Sequence, residues 1–445
     1  MAILPTPGFN VIGYASGNLG LGVYARSVID SIRARGFPVA VLDLDPGFGR
    51  KNFELRHQDL FAESARDLPH AINCFVLPPP ALEDVAAYFG SLLSRQAVLN
   101  AAFSMWELPR VPEAWHAALQ MFDVLAAGSP FIRQSFESSV PDVNVIDAPL
   151  FLPLQMQVAA QRQQFGLDHD SCYCIASFEP YSDVERKNIE AVIAAYQAAA
   201  AVAPHLKLII KVNNAASGGA EHAALVRLRQ RTAGIGGVRW MADNLPRPAL
   251  LSLIASCDIC ISLHRSEGYG LFMYEAMQLG KPVVATAWSG NLAYMSPTSA
   301  CLVGYRLVPV PLDGTAYYSA RGYRLPVFWA EASVDDAAAW LARLAGSPGL
   351  RKEKGAAAFA FIAAYERRAA KAECLDQFLA LQQQNRLRER ASTRLAHYLP
   401  LALRQRNKLS RRVRGVVRKI MRKGARKVAR KVAGKALRKA RGILG

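Results

Sequence analysis

Short apolar runs alternate with helical patterns along the first 385 residues of this 445-residue chain. Runs such as Phe9–Tyr14 and Leu206–Val212 are bounded by turn residues and have the length of buried strands. Between them lie longer segments with apolar residues at steps of three and four, such as Val23–Arg35, which Gly36 ends. This alternation predicts βαβ units that build a mostly parallel sheet.

The alternation occurs in two series, which predicts two domains of the same architecture. The chain is also longer than a single hydrophobic core usually spans. The stretch Pro149–Gln164, rich in Pro and Gln, interrupts the pattern between the two series. We therefore predict the α/β class, with two facing, doubly wound, Rossmann-like domains. The predicted strands are Phe9–Tyr14, Pro38–Leu42, Ala71–Leu77, Gln96–Asn100, Phe122–Ala127 and Val143–Ile146 in the first series, and Cys174–Phe178, Leu206–Val212, Val238–Met241, Ile259–Leu263 and Val283–Thr286 in the second.

The predicted boundaries follow from the same pattern. We place an N-terminal domain at residues 1–155 and a C-terminal domain at residues 165–345. Residues 346–384 have a helical pattern and are expected to cross back to the N-terminal domain. Residues 385–445 form a separate basic tail.

The positive charge of the chain is concentrated in that tail. The formal net charge is +19, but the residues from Arg386 onward hold 22 Lys and Arg against the single acid Glu389. The preceding residues carry 32 bases and 34 acids. The two predicted domains are therefore nearly neutral, and the overall basicity says nothing about their ligands.

The tail has the pattern of an amphipathic helix that lies on a membrane. In residues 411–445 small apolar residues recur mostly at steps of three to four, with Arg-Lys pairs between them. A narrow apolar stripe beside a broad basic face is typical of helices that bind anionic lipid. A disordered basic tail is the alternative. We do not expect nucleic acid as a partner, because no aromatic residue follows Tyr398 to stack on bases.

The sequence predicts neither export nor a membrane span. No apolar run reaches the roughly 20 residues that a membrane helix needs, and the first residues lack the basic stretch of a signal peptide. The seven cysteines are scattered through apolar segments, which favours small buried residues in a reducing compartment. We expect a cytoplasmic protein that is peripheral at the inner face of the membrane.

Glycines and polar residues cluster directly after the predicted strands. In doubly wound sheets ligands bind outside the carboxyl ends of the strands, so these clusters are expected to meet at one edge. Their convergence is a stronger signal than any one of them. The clusters are Ala15–Gly22, Glu179–Lys187, Asn213–Gly219, His264–Gly270 and Ala287–Asn291.

The most informative cluster runs from Glu267 to Glu275. Its glycines let the backbone approach a ligand, and the first N–H groups of the predicted helix Leu271–Leu279 form an anion site. Glu275 lies about one turn into that helix, and its carboxylate suits two adjacent hydroxyls of a ribose. Glu267 could bind sugar hydroxyls in the same way. The spacing fits a sugar, a diphosphate and a ribose laid across one helix end.

These residues resemble a known family. His264–Leu271 followed by Glu275–Thr286 is similar to the E-x(7)-E signature of retaining glycosyltransferase family four, whose members have the two-domain GT-B fold. Tyr181 stands where some members carry a second diphosphate-binding arginine, and no counterpart is found for a histidine that some members place near the transferred sugar. Further segments that resemble the family are Gly17–Gly22, Asn100–Pro109, Ser177-Phe178 and Glu185–Asn188.

The resemblance implies a role for each matching residue. It makes the N-terminal domain the acceptor side and the C-terminal domain the nucleotide-sugar side. It implies that Glu267 contacts the donor sugar, that Glu275 contacts the ribose, and that Arg186 and Lys187 contact the diphosphate. The candidate catalytic residues are Glu267, Lys187 and Arg186; the candidate donor-binding residues are Gly20, Gly22, His264, Gly268, Tyr269, Gly270, Leu271 and Glu275; and Trp106 and Glu107 are candidate acceptor contacts.

We expect neither a metal nor a cofactor, since the nucleoside-diphosphate sugar is the co-substrate. Asp43-Leu-Asp45 imitates a metal-binding D-x-D motif, but no other carboxylates cluster with it. We interpret this pair as a solvated strand end.

The resemblance therefore implies a retaining transferase that adds a hexose such as mannose to a glycan or lipid-linked acceptor, and the missing carboxylate cluster predicts that it needs no metal. Two alternatives stay open at this point. One is a sugar-nucleotide epimerase, or a phosphorylase, on the same two-domain architecture; no residue marks the pyridoxal lysine that a phosphorylase needs. The other is a nucleic-acid-binding protein that acts through its basic tail.

Overall fold

Two six-stranded, all-parallel sheets form the framework of the part of the chain that the structure describes. The structure is a computed structural model and describes residues 5–47, 51–95, 97–153, 158–180, 182–215, 222–311 and 322–384. Tyr181 and the predicted tail helix at 411–445 lie outside these residues. Within them, no helix is long and apolar enough to cross a membrane.

The N-terminal sheet has the strand order β2-β1-β3-β4-β5-β6. Its chain order reverses between β1 and β3, which places a topological switch point at the end of β1. The elements are β1 (Thr6–Gly13), α1 (Gly20–Ala34), β2 (Val39–Asp43), β3 (His70–Val76), α2 (Pro79–Leu93), β4 (Leu99–Phe103), α3 (Glu113–Leu119), β5 (Val124–Ala127), α4 (Pro130–Ser139) and β6 (Asn144–Asp147).

The C-terminal sheet has the order β12-β11-β10-β7-β8-β9, with its switch point between β7 and β10. The elements are β7 (Cys172–Phe178), α5 (Val184–Lys187), α6 (Ile189–Val202), β8 (Leu206–Val212), α7 (Ala223–Thr232), β9 (Val238–Met241), α8 (Arg247–Ser256), β10 (Ile259–Ser262), α9 (Leu271–Gln278), β11 (Val283–Thr286), β12 (Cys301–Val303), β13 (Tyr305–Pro309), β14 (Phe328–Ala332), α10 (Val334–Gly346), α11 (Pro348–Ala369) and α12 (Glu373–Gln383).

The predicted pair of doubly wound domains is confirmed, and most strands lie within a few residues of their predicted positions. One strand is displaced: the prediction Gln96–Asn100 corresponds to β4 at Leu99–Phe103. The antiparallel hairpin of β13 and β14 was not predicted. Trp329 of this hairpin packs in the same buried cluster as Trp106 of the N-terminal domain. The hairpin therefore links the two domains as well as extending the second.

A row of buried amides crosses the N-terminal sheet. Asn10, Asn73 and Asn100 are register partners on β1, β3 and β4. Asn10 Nδ2 donates to Asn73 Oδ1 at 2.8 Å, and Asn73 Nδ2 donates to Asn100 Oδ1 at 2.9 Å. Asn100 Nδ2 donates to the Leu93 carbonyl at 3.0 Å. Because each amide satisfies the next, these polar side chains are accommodated in strands that are otherwise apolar.

Two segments connect the domains, and they touch each other at Glu366. This residue of α11 accepts hydrogen bonds from the backbone N–H of Leu152 at 3.2 Å, from Nε2 of Gln278 at 3.2 Å, and from the hydroxyl of Tyr274. Leu152 lies between the domains, whereas Tyr274 and Gln278 belong to α9. Burial raises the pKa of Glu366 to about 8, although the Leu152 N–H opposes the shift.

We expect Glu366→Gln to remove a pH-dependent loss of stability. The folded protein keeps the proton on Glu366 up to about pH 8, whereas the unfolded chain releases it near the ordinary pKa of 4.5. The free energy of unfolding therefore falls as the pH rises between these values, by at most about 1.4 kcal/mol per pH unit. Urea midpoints measured across this range test the expectation. Glu353→Gln, which changes an exposed acid of the same helix, is the control. Parallel pH profiles for wild type and Glu366→Gln would contradict it.

Candidate active site

The glycine-rich loop after β1 is held in a defined shape from both sides. The backbone N–H and the hydroxyl of Ser16 donate to the two carboxylate oxygens of Asp43, at 2.9 and 2.7 Å. Arg26 donates to the carbonyls of Ala15 and Gly17, at 2.7 and 3.2 Å. The Asp43 side chain is only 3% exposed. The interpretation of Asp43 as a solvated strand end is therefore wrong: it anchors the loop.

Close packing explains Gly22 of this loop, and the neighbours of Gly20 show where the loop lies. A Cβ on Gly22 would lie 2.3 Å from the Gly17 carbonyl oxygen, so this position of the loop admits no side chain. A Cβ on Gly20 would lie 3.4 Å from Cδ1 of Leu271 in the other domain. The loop therefore reaches the start of α9 across the cleft. This agrees with the expectation that the polar clusters after the strands meet at one edge.

Helix α9 begins at the cleft without a side-chain cap. Its N-cap residue, Gly270, has φ of 88°, a left-handed conformation that glycine adopts freely. The first N–H groups of a helix lack partners within the helix and carry partial positive charge. A Cβ on Gly290 would lie 1.8 Å from the Gly268 carbonyl oxygen, so the loop after β11 packs directly against the loop before α9. The geometry suits an anionic group at the end of α9.

Glu267 lies between two cations that follow β7. Its Oε1 atom accepts from Nζ of Lys187 and lies 3.3 Å from a guanidinium nitrogen of Arg186. Burial acts to raise the pKa of Glu267, but the charges of Lys187 and Arg186 outweigh it and hold the pKa at about 2. Glu267 is therefore ionised at physiological pH. Lys187 is 21% exposed and can reach a ligand in the cleft.

Arg186 is enclosed, with its side chain only 1% exposed. It donates to the carbonyl of Ser266 at 2.7 Å and to the carbonyl of Ser182 at 3.1 Å. A guanidinium nitrogen also lies 3.6 Å from Glu107 of the N-terminal domain. Arg186 thus fixes the loop that carries Glu267 and joins it to the opposite domain, which makes Lys187 the better placed of the two for a diphosphate.

Glu275 is buried and paired with an arginine that the sequence did not single out. Its Oε1 atom lies 2.5 Å from a guanidinium nitrogen of Arg247. The carboxylate is 6% exposed and the arginine 28%. Arg247 opens α8, and nothing in its sequence context signals a ligand. Only the fold brings it to Glu275.

His264 supports the site from below. Its Nε2 atom lies 3.1 Å from Asn291 Oδ1 and 3.2 Å from the Trp288 carbonyl, and its Nδ1 atom lies 3.1 Å from the Ser262 hydroxyl. Complete burial lowers its pKa, which favours the neutral ring. Nε2 then carries the proton, because both of its neighbours are acceptors. His264 thus supports the loop after β11, and its predicted contact with the donor stays a prediction.

Tyr269 and Trp106 face the core. The hydroxyl of Tyr269 lies 3.2 Å from that of Tyr365, inside a buried group of tyrosines. The indole N–H of Trp106 donates to the Arg110 carbonyl at 2.6 Å, and its ring stacks edge-on with Trp115. Both side chains therefore pack in the core, and the predicted donor contact of Tyr269 and acceptor contact of Trp106 stay predictions. Of the two candidate acceptor contacts, Glu107 stays at the cleft, with 20% of its side chain exposed.

The two domains touch across the cleft through Ser129. This residue caps α4 by accepting from the N–H of Ile132, and its hydroxyl donates to the Gly268 carbonyl at 2.8 Å. A Cβ on Gly268 would lie 2.9 Å from the Trp106 carbonyl oxygen. Glu107 of the N-terminal domain and Lys187 and Glu267 of the C-terminal domain therefore lie where the two domains meet. In the described part of the chain, no group of three His, Cys, Asp or Glu residues could hold a metal ion.

Two facing doubly wound domains with such a cleft define the GT-B architecture. Residues 182–303 match the family model described as glycosyl transferases group 1. This segment contains Lys187, Glu267 and Glu275 together with the loop after β11. The protein is therefore a glycosyltransferase.

Solved structures with this fold are similar to most of the chain. They include sucrose-phosphate synthase from Thermosynechococcus elongatus, with a TM-score of 0.62 and 13% identity over 84% of this chain and 100% of that one. A UDP-forming α,α-trehalose-phosphate synthase from Burkholderia xenovorans has a TM-score of 0.56 and 14% identity, over 85% and 99% of the two chains. Anabaena HepE in complex with UDP and glucose has a TM-score of 0.53 and 12% identity, over 84% and 100%. No curated protein matches the sequence significantly. At these identities the likeness shows the shared fold.

Proposed function

We propose that this protein is a retaining, metal-independent member of glycosyltransferase family four. It transfers a hexose, such as mannose, from a nucleoside-diphosphate sugar to a glycan or lipid-linked acceptor during cell-surface polysaccharide synthesis. The observation that carries the proposal is the meeting of Lys187, Glu267 and Glu275 around the uncapped start of α9. The E-x(7)-E spacing of the two acids supports the assignment to family four.

The charges at this site support a mechanism that needs no metal. Negative charge builds up on the leaving nucleoside diphosphate as the glycosidic bond breaks. The ammonium of Lys187 and the first N–H groups of α9 stabilise that charge through fixed positions, without reorganisation during the reaction. Glu267 binds hydroxyls of the transferred sugar, and Glu275 binds the ribose. Arg186 holds the Glu267 loop against the N-terminal domain. Contact between the domains excludes water, which would otherwise compete with the acceptor.

A direct assay tests the proposal. The full-length protein is incubated with UDP- and GDP-linked hexoses and with oligosaccharide or polyprenyl-linked acceptors. NMR of the product then reports the anomeric configuration. We expect the configuration of the donor to be retained and the rate to be unchanged by EDTA. An inverted product, or activity that is lost in EDTA and restored by Mn²⁺, would reject the proposal. Incubation with donor alone, with analysis for an isomerised sugar, separates a transferase from the epimerase alternative.

The basic tail suits a membrane-bound acceptor, and we propose that residues 411–445 bind anionic lipid. Each Lys or Arg near the surface contributes about 1 kcal/mol to such binding, so the many cations of this segment favour it strongly. We expect the full-length protein to sediment with vesicles of phosphatidylglycerol and phosphatidylcholine, and to stay in solution with phosphatidylcholine alone. A version that ends at Gln384 serves as the control. Equal sedimentation of the two versions would contradict the proposal.

A further inference from the structure

Arg247 occupies an electrostatically unfavourable position. It is the first residue of α8, where the helix N–H groups carry partial positive charge and a cation is destabilising. Its guanidinium is partly exposed and pairs with the buried Glu275 at 2.5 Å. The arginine therefore does not stabilise its own helix. Its contact with Glu275, rather than a favourable effect on the helix, therefore accounts for an arginine at this position.

Arg26 of the N-terminal domain lies close enough to Arg247 for their positive charges to interact. Burial lowers the pKa of Arg26 to about 10. The carboxylates of Glu54 and Asp30 oppose this shift, and the positive charges of Arg56 and Arg247 add to it. Arg26 also holds the carbonyls of Ala15 and Gly17 in the glycine loop. The glycine loop, the start of α8 and Glu275 thus border one space. Positive charges from the two domains interact there, and an anion bound beside Arg247 would weaken their repulsion.

We propose that Arg247 binds a phosphate of the nucleoside diphosphate, and that it exchanges Glu275 for this phosphate when the donor arrives. In the empty site the arginine neutralises the buried carboxylate. When the ribose hydroxyls occupy Glu275, the guanidinium is released and turns to the phosphate, for which its planar pair of N–H donors is suited. This inference rests on the proposed function of Glu275. The inference adds Arg247, a residue of α8, as a contact to the phosphate rather than to the sugar.

Binding measurements on the full-length protein separate this role from a structural one. The probes are UDP, GDP and ADP, each compared with its own nucleoside. We expect Arg247→Gln to weaken the best-bound diphosphate by about 10-fold or more and to leave the nucleoside unchanged. The KM for the donor should rise by a similar factor, with kcat little changed. Arg227→Gln, at an exposed arginine of α7, is the matched control for lost charge.

The outcomes are distinct. Equal losses for nucleoside and diphosphate would mean that Arg247 acts only by holding Glu275 in place, and would overturn the inference. Unchanged binding of the diphosphate would overturn it as well. Arg247→Lys keeps the charge without the planar geometry, so we expect an intermediate affinity, and this variant carries the test if Arg247→Gln does not fold. Failure of the proposed function looks different: the wild type itself would then bind none of the diphosphates.

Discussion

Replacing Lys187 by alanine is expected to lower kcat by about 100-fold or more at saturating donor, as removal of other preorganised charge stabilisers does. The ammonium of Lys187 reaches both the cleft and the buried Glu267. Its removal leaves the charge on the leaving diphosphate without its nearest cation. Folding should survive, because Arg186 still compensates Glu267 from 3.3 Å.

Initial rates and thermal unfolding, measured on the same preparations, test this expectation. Lys352→Ala, at an exposed lysine of α11, controls for the loss of a surface charge. Lys187→Arg keeps the positive charge and should retain part of the activity. If Lys187→Ala turns over at a near-normal rate, the assignment of Lys187 to the active site is wrong. A large fall in the unfolding temperature would instead show that its role is structural.

Replacing Glu275 by alanine should lower kcat/KM for the donor by about 100-fold or more, since two hydrogen bonds to a charged acceptor are lost. The assignment of Glu275 to the ribose also predicts a difference between nucleotides with and without ribose hydroxyls. Wild type should bind a ribonucleoside diphosphate more tightly than its 2′,3′-dideoxy analogue, and Glu275→Ala should bind the two equally. Competition binding with UDP and dideoxy-UDP measures this difference.

Glu373→Ala is the control for this second prediction, since it removes an exposed acid from the first turn of α12. If Glu275→Ala still distinguishes the two nucleotides, the ribose lies elsewhere. Arg247 is 28% exposed, so solvent can compensate it when its partner is removed. A failure to fold is therefore not the expected reason for lost activity.

Much of the fold was predictable because its strands are strongly apolar and end at clear turns. Leu206–Val212, Val238–Met241 and Val283–Thr286 match their predicted bounds. The hairpin of β13 and β14 was missed because β13 is mostly exposed and carries no buried alternation. Its stability comes from β14 and from packing on the N-terminal domain, neither of which local pattern reveals.

The sequence predicted which residues lie at the ends of the strands. It did not predict which of their side chains turn inward, because that depends on packing in the core. The glycines and the two acids follow strands, and parallel strands bring their ends together. His264 and Tyr269 stand in the same segment, but their rings turn inward to satisfy hydrogen bonds in the core. Arg247 could not be found from the sequence, because its partner lies 28 residues away on another helix.

The contact between Leu152 and Glu366 has a mechanical consequence. The segment after β6 and helix α11, which both connect the domains, meet there, so we expect this contact to be kept if the cleft opens. Ser129 and Gly268 meet at the mouth of the cleft and must separate when it opens. The distance between the segments that carry Ser129 and Gly268 would then report the opening. Since all seven native cysteines are buried, thiols introduced on the two rims could be labelled selectively to report that distance.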